Sequence, residues 1–207
     1  MGGISSQVIW KQAWSPVADS TLTHALAILG CSIRELPSQQ WEAKTATIGG
    51  IRDVMTSYVA PSSAYWSSLL LHLNASIGEA LAAELSRLIG GPAILFLEYD
   101  QAAWGYCLFE GGALLNRFWS IPDAVEMPPD ECVGDATTIS RLFDVPADSL
   151  APYIRYVSDP NAKAFDDDEF TLGDHWVRVD FMRRLGLAYP NPGQVAGGRH
   201  IRIEEAR

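Results

Sequence analysis

Long hydrophobic runs are missing from this chain of 207 residues. None approaches the roughly 18 consecutive apolar residues that a membrane-spanning helix needs. Met1 to Trp10 carries neither a basic leader nor an apolar core followed by a cleavage site. Charged residues are also few, at 19%, whereas hydrophobic residues reach 48%, a balance that excludes an intrinsically disordered chain. We therefore expect a folded cytoplasmic protein with no membrane partner.

Cysteine is scarce too. Cys31, Cys107 and Cys132 are odd in number and none belongs to a Cys-x-x-Cys pair, which excludes a disulfide framework. A cysteine nucleophile needs a neighbouring base, and His24 lies seven residues before Cys31, about 10 Å away along a helix. We expect free thiols and no cysteine catalysis.

Motifs for catalysis or cofactor binding are also missing. The four histidines form no His-x-x-x-His or Cys-x-x-His pair that would suit zinc. The sequence contains no Gly-x-Ser-x-Gly elbow and no glycine-rich phosphate loop. We therefore predict no cofactor and favour a protein that is not an enzyme.

Acidic residues outnumber basic ones. Twenty-five Asp and Glu against 15 Lys and Arg give a net charge of −10, which disfavours binding to nucleic acid or anionic lipid. Residues 126–180 hold 13 acids and 4 bases, whereas residues 181–207 hold 5 bases and 2 acids. The acidic middle block predicts a basic partner.

The first 125 residues alternate between strand and helix patterns. One predicted helix is capped by Asp19 or Ser20, and a second opens at Ser76 and ends at the Gly90-Gly91-Pro92 triplet. The predicted strands span residues 7–14, 45–51, 54–59, 66–73, 93–99, 104–109 and 113–119. Four aromatic residues of the last two strands are predicted to be core: Trp104, Tyr106, Phe118 and Trp119.

These patterns predict an α+β fold, with a mixed or antiparallel sheet and helices packed on one face. Residues 7–59 and 66–119 follow the same element order, so the sheet region, residues 1–125, is either a duplicated strand–helix–strand–strand unit or a single mixed sheet. An acidic, mainly helical region, residues 126–190, is expected to pack on it. Residues 191–207 contain three glycines and are predicted to form a mobile tail.

Three helices are predicted in the C-terminal region. The first spans Thr137 to Phe143 and the second spans Ser149 to Val157. Asp174 is expected to cap the last helix and Gly186 to end it.

A cluster of carboxylates provides the candidate partner-binding residues: Asp166, Asp167, Asp168, Glu169 and Asp174. Adjacent carboxylates repel, so they need water, a cation or a basic partner nearby. An EF-hand loop is excluded, because Phe170 and Val177 fall at ligand positions. Three alternatives stay open: a solvated loop, a looser Mg²⁺ or Ca²⁺ site through Asp166, Asp168 and Asp174, and a docking surface anchored by Phe165 and Phe170.

A second function class competes with partner binding. Glu98, Asp100 and Glu110 lie at the ends of predicted hairpin strands, where a pair of carboxylates could serve a hydrolase. The competing hypothesis is therefore a small hydrolase or metal-dependent enzyme, with its site at these hairpin ends or in the carboxylate cluster.

Two stretches carry a resemblance to a protein family. One runs from Trp104-Gly105-Tyr106 to Arg117-Phe118-Trp119-Ser120-Ile121-Pro122-Asp123, and the other joins Phe165-Asp166-Asp167-Asp168-Glu169-Phe170 to Asp180-Phe181-Met182-Arg183-Arg184-Leu185-Gly186. Residues 93–187 resemble small uncharacterised bacterial cytosolic proteins, some of which look like immunity partners of polymorphic toxins. The resemblance implies a shared fold and carries no catalytic residue.

The leading hypothesis is a non-catalytic interaction protein of the immunity type. Its acidic surface would steer and hold a basic partner protein, such as a toxin, over a range of roughly 8 to 10 Å in physiological salt. No nucleic-acid partner is expected.

Overall fold

A computed structural model describes residues 4–35, 54–72, 75–155, 159–189 and 198–205. The strands in these ranges are β1 (Ile4–Trp10), β2 (Cys31–Glu35), β3 (Val54–Pro61), β4 (Ser67–His72), β5 (Pro92–Tyr99), β6 (Ala103–Glu110), β7 (Ala113–Trp119) and β8 (Arg199–Glu205). The α-helices are α1 (Pro16–Ile28), α2 (Ala75–Ile89), α3 (Ala136–Phe143) and α4 (Val177–Arg184). The predicted α+β class is confirmed.

The eight strands form one sheet in the order β2-β8-β3-β4-β1-β5-β6-β7. Every neighbouring pair is antiparallel. The two segments with the same predicted element order, residues 7–59 and 66–119, contain β1 and β4 as their first strands. These two strands lie side by side in the sheet, with Gln7 opposite Leu70.

Helices α1 and α2 cover one face of the sheet. Successive side chains of a strand point to opposite faces, and Val8 and Trp10 of β1 pack in the same apolar cluster as both helices. From α2, Leu81 and Leu85 are fully buried because their four-residue spacing places them on one side of the helix. Gly78 brings α2 close to the sheet, since a Cβ there would lie 2.9 Å from Cδ1 of Leu95.

The C-terminal region covers the opposite face. Ile9, which follows Val8, packs in a second apolar cluster together with Leu142 of α3 and Phe181 of α4. The four aromatic residues predicted as core are all buried, but Trp119 packs in the first cluster and the other three in the second: Trp104, Tyr106 and Phe118. The sheet is thus a middle layer between two helical layers.

Helix α1 begins earlier than predicted. Pro16 occupies its first turn, where its missing N–H leaves no donor unpaired. Ser15 is the cap, and its side chain accepts a hydrogen bond of 3.3 Å from the N–H of Ala18. Asp19 and Ser20, the predicted caps, therefore lie inside the helix.

The prediction of a mobile tail is wrong for residues 199–205, which form β8. This strand lies between β2 and β3, with Ile203 opposite Ile33 and Met55. Ile201 and Ile203 are buried, because an alternating strand directs both to the same face. Residues 191–197 of the predicted tail lie outside the described ranges.

Other elements also differ from prediction. Strand β2 was not predicted, and the strand predicted over 45–51 lies outside the described residues. The helix predicted from Ser149 is absent over residues 149–155, where a 3-10 turn, Ala147–Ser149, leads into further turns. Helix α4 begins at Val177 without a side-chain cap, and Asp174 accepts a hydrogen bond from the N–H of Trp176 instead. No helix in the described ranges is long and apolar enough to cross a membrane.

Candidate functional site

Residues 159–174, here called the acidic loop, carry the predicted binding residues. The loop folds back on itself, because the N–H of Leu172 donates to Ala162 and that of Gly173 to Pro160, each at 2.8 Å. A Cβ at position 173 would lie 2.6 Å from Cβ of Pro160, so this close return requires glycine.

Aromatic residues anchor the acidic loop. Phe165 and Phe170 are partly buried against the second apolar cluster, the packing that the docking-surface alternative expects of these two residues. The ring of Phe165 lies 5.9 Å from that of Tyr153 and beneath the guanidinium of Arg184, at 4.4 Å.

Asp168 does not face solvent, although the sequence placed it among the partner-binding residues. It is only 3% exposed. Its carboxylate accepts hydrogen bonds from the hydroxyl of Tyr153 at 2.6 Å, from Arg184 at 2.7 Å and from the backbone N–H of Phe165 at 3.0 Å. Because a buried carboxylate must be paired, Asp168 holds the loop together and is corrected from a binding residue to a structural one.

A second buried carboxylate fixes the other side of the loop. Asp180 of α4 accepts hydrogen bonds from the backbone N–H groups of Glu169 and Phe170, at 3.0 and 2.8 Å. Arg183 lies between the two buried acids, 3.0 Å from Asp180 and 3.3 Å from Asp168. No local pattern indicated this role for Asp180, which stands 12 residues beyond Asp168.

Arg184 neutralises one exposed acid as well. It donates a hydrogen bond of 2.5 Å to Asp167, which lowers the pKa of that carboxyl below its usual value. The pKa of Arg184 is raised, first through the hydrogen bond with Asp167 and then through the one with Tyr153. Asp167 is therefore exposed but already paired.

Of the five predicted binding residues, two face solvent without an ion pair to any described residue: Asp166 and Glu169. Asp159, at the start of the loop, is also exposed, and its carboxylate accepts the N–H of Asn161. Asp174 is half-buried, 3.4 Å from His175. Of the five predicted binding residues, Asp166 and Glu169 are therefore the two whose carboxylates can contact a cation of a partner.

An aromatic group borders the acidic loop. Trp176 is 36% exposed, and its ring stacks on Phe170 at 6.3 Å and meets Tyr189 edge-on at 5.6 Å. The guanidinium of Arg178 lies 4.4 Å from the same ring. Trp176 directly precedes the first residue of α4, and the turn before Val177 leaves it at the surface.

The carboxylates at the hairpin ends are not brought together as a set. Glu98 lies opposite Trp104, whereas Glu110 lies opposite Pro92, so the two acids stand about 20 Å apart at opposite ends of the strand pair. A glycosidase pair needs roughly 5 to 10 Å. Glu110 instead forms an ion pair of 3.3 Å with Arg141.

Glu98 belongs to a buried polar group on the sheet face that carries α4. Its carboxylate lies 2.6 Å from Arg178 and 3.6 Å from His175, and all three side chains are largely buried. Arg178 also donates to the carbonyl of His175 at 3.0 Å. Gln7 and Tyr189 line a small cavity beside this pair. The sequence signal for this group was a glutamine directly before the apolar run Val8-Ile9-Trp10 of β1.

The described residues contain no group of three or more His, Cys, Asp and Glu that could hold a metal ion. Cys107 and Cys132 are buried free thiols, as predicted, and Cys31 is half-buried. Burial raises the pKa of Cys107 to about 11, despite the hydrogen bond of 3.4 Å that Arg117 donates to its sulfur.

Comparison of the chain with protein-family models, curated proteins and solved structures found no match.

Proposed function

We propose that this protein binds a basic protein partner through the acidic loop and the adjoining ring of Trp176. The charge of the surface supports the proposal. Ten of the 13 acidic residues in residues 126–180 are exposed. Three of the four basic residues in the same segment are exposed: Arg141, Arg155 and Lys163. Such an excess of one sign attracts an oppositely charged partner and accelerates its encounter.

The rigidity of the loop also supports binding. Asp168 and Asp180 accept hydrogen bonds from three loop N–H groups and from two arginines, so the backbone is fixed before a partner arrives. A preorganised surface loses less conformational entropy on association. The unpaired carboxylates of Asp166 and Glu169 are the groups that we expect to contact cations of the partner.

Trp176 adds an exposed apolar ring to the charged docking surface. Tryptophan is among the residues that contribute most to protein interfaces. Its ring packs against the rings of Phe170 and Tyr189 and lies beside the acidic loop. A toxin is one class of basic partner, in line with the resemblance of residues 93–187 to immunity proteins.

Calorimetric titration with a decaarginine peptide tests the proposal. We expect the double variant Asp166→Asn/Glu169→Gln to weaken binding about tenfold at low salt. The matched control Asp144→Asn/Asp148→Asn removes the same charge from exposed acids at the end of α3 and in the following 3-10 turn. That control should weaken binding less than threefold.

The proposal fails if both double variants weaken binding equally, because the peptide would then sense only net charge. It also fails if raising the salt concentration from 50 to 500 mM leaves the dissociation constant unchanged, since exposed charges are screened by salt.

A further inference from the structure

Gln7 carries a buried side-chain amide. It lies in the middle of β1, opposite Leu70 of β4 and Phe96 of β5, and it is only 3% exposed. Neither its amide nitrogen nor its amide oxygen forms a hydrogen bond with any described residue. An orphaned buried polar group costs about 1 to 3 kcal/mol, so an apolar residue here would be the more stable choice.

The amide lines a small cavity that is partly open to solvent. The volume of the cavity is about 10 Å³, enough for one water-sized group. Leu70 and Phe96 form part of its apolar lining, and Tyr189 and the Glu98–Arg178 pair line it as well. The cavity therefore combines apolar walls with the unused donors and acceptor of one amide.

The charges around the cavity favour a neutral guest. Glu98 and Arg178 lie 2.6 Å apart, and each neutralises the other. A further charge would lose its hydration without gaining a counter-ion. A neutral group with one hydrogen-bonding atom small enough for the cavity can instead pair with the amide of Gln7, and a carboxamide offers either a donor or an acceptor for that contact.

We propose that this cavity binds the head of a neutral carboxamide ligand, with Gln7 as its hydrogen-bonding partner. One polar atom of the head enters the cavity, and the rest of the ligand lies at the mouth against the ring of Tyr189. Tyr189 also contacts Trp176 of the docking surface, but the contact with Gln7 involves none of the carboxylates of the acidic loop.

Titration with benzamide, followed through the ¹H–¹⁵N signals of the Gln7 side-chain amide, tests the proposal. Benzoate and benzylamine carry the same ring with a charged head and serve as matched probes. We expect benzamide to shift the Gln7 signals saturably, with a dissociation constant at least tenfold lower than that of either charged probe.

Two variants separate binding from folding. Gln7→Leu should abolish benzamide binding and raise the melting temperature, because it removes both orphaned atoms. Gln12→Leu is the matched control: the amide oxygen of Gln12 is also without a partner, but the residue lies outside the cavity. Gln12→Leu should leave benzamide binding unchanged.

Three results would overturn the proposal. One is the absence of any saturable shift, which would mean that the cavity holds water alone. Another is a benzamide response that survives Gln7→Leu, which would show an adventitious additive only. The third is a lower melting temperature for Gln7→Leu, which would show that Gln7 stabilises the fold.

Discussion

The hydroxyl of Tyr153 donates a hydrogen bond of 2.6 Å to the buried carboxylate of Asp168 and accepts one of 3.2 Å from Arg184. Burial raises the pKa of Tyr153, so its hydroxyl stays protonated and able to donate. This contact ties the acidic loop to the turns that follow α3.

We predict that Asp168→Asn destabilises the protein by about 3 kcal/mol. The substitution leaves Arg183 and Arg184 without their shared buried carboxylate, and removing one member of a buried ion pair is costly. Urea unfolding measures the change. The control Asp166→Asn alters an exposed neighbour and should stay within about 0.5 kcal/mol of the parent. Equal stabilities of the two variants would contradict the structural role of Asp168.

Asp135 caps α3, and we predict that Asp135→Ala costs about 1 kcal/mol. Its carboxylate accepts the N–H groups of Thr137 and Thr138, at 2.9 and 3.2 Å, and the hydroxyl of Thr138. Asp135→Asn retains an acceptor oxygen and should lose less than half as much. Unfolding midpoints in urea distinguish the two. A loss of the same size in both variants would refute the capping role.

Acid should weaken the fold through Asp167. Because Arg184 lowers the pKa of this carboxyl in the folded protein, the contact stabilises the fold above the ordinary aspartate value of 3.8. That stabilisation is lost as the pH falls through the lowered pKa. Urea midpoints measured between pH 6 and pH 2 should therefore fall more steeply for the parent than for Asp167→Asn. Parallel curves would count against the ion pair.

The thiols should differ in reactivity at pH 8. Cys107 and Cys132 are buried and burial raises both pKa values, so neither presents an accessible thiolate, whereas Cys31 is half-buried. Ellman's reagent should modify one thiol rapidly in the native protein and three in urea. The Cys31→Ser variant should lose the rapid phase. Two rapid thiols in the native parent would contradict the burial of Cys107 or Cys132.

Local patterns predicted most of the sheet region. Ser76 and the Gly90-Gly91-Pro92 triplet predicted α2, and the strands predicted over 104–109 and 113–119 form the β6–β7 hairpin, where Gly111 and Gly112 adopt positive φ. The alternation of Ile201 and Ile203 also marked β8, but the preceding glycines favoured a tail. A strand between β2 and β3 depends on pairing with distant residues, which local pattern does not reveal.

The candidate site was predicted only in part. Asp167 and Asp168 are chemically alike neighbours, yet one is exposed and the other is buried beneath Tyr153. The turn that separates them depends on Arg183 and Arg184, which approach from α4. Glu98 and Arg178 are 80 residues apart, so no local spacing could predict their contact.

Carbodiimide cross-linking with decaarginine amide, prepared with a single lysine at its N-terminus, tests the central claim most directly. Mass spectrometry locates the acids that join the lysine amine. We predict that Asp166 and Glu169 carry most of the cross-links and that 500 mM salt abolishes them. Cross-links spread evenly over the ten exposed acids of residues 126–180, or concentrated on Asp144 and Asp148, would contradict the assignment of the acidic loop as the docking surface.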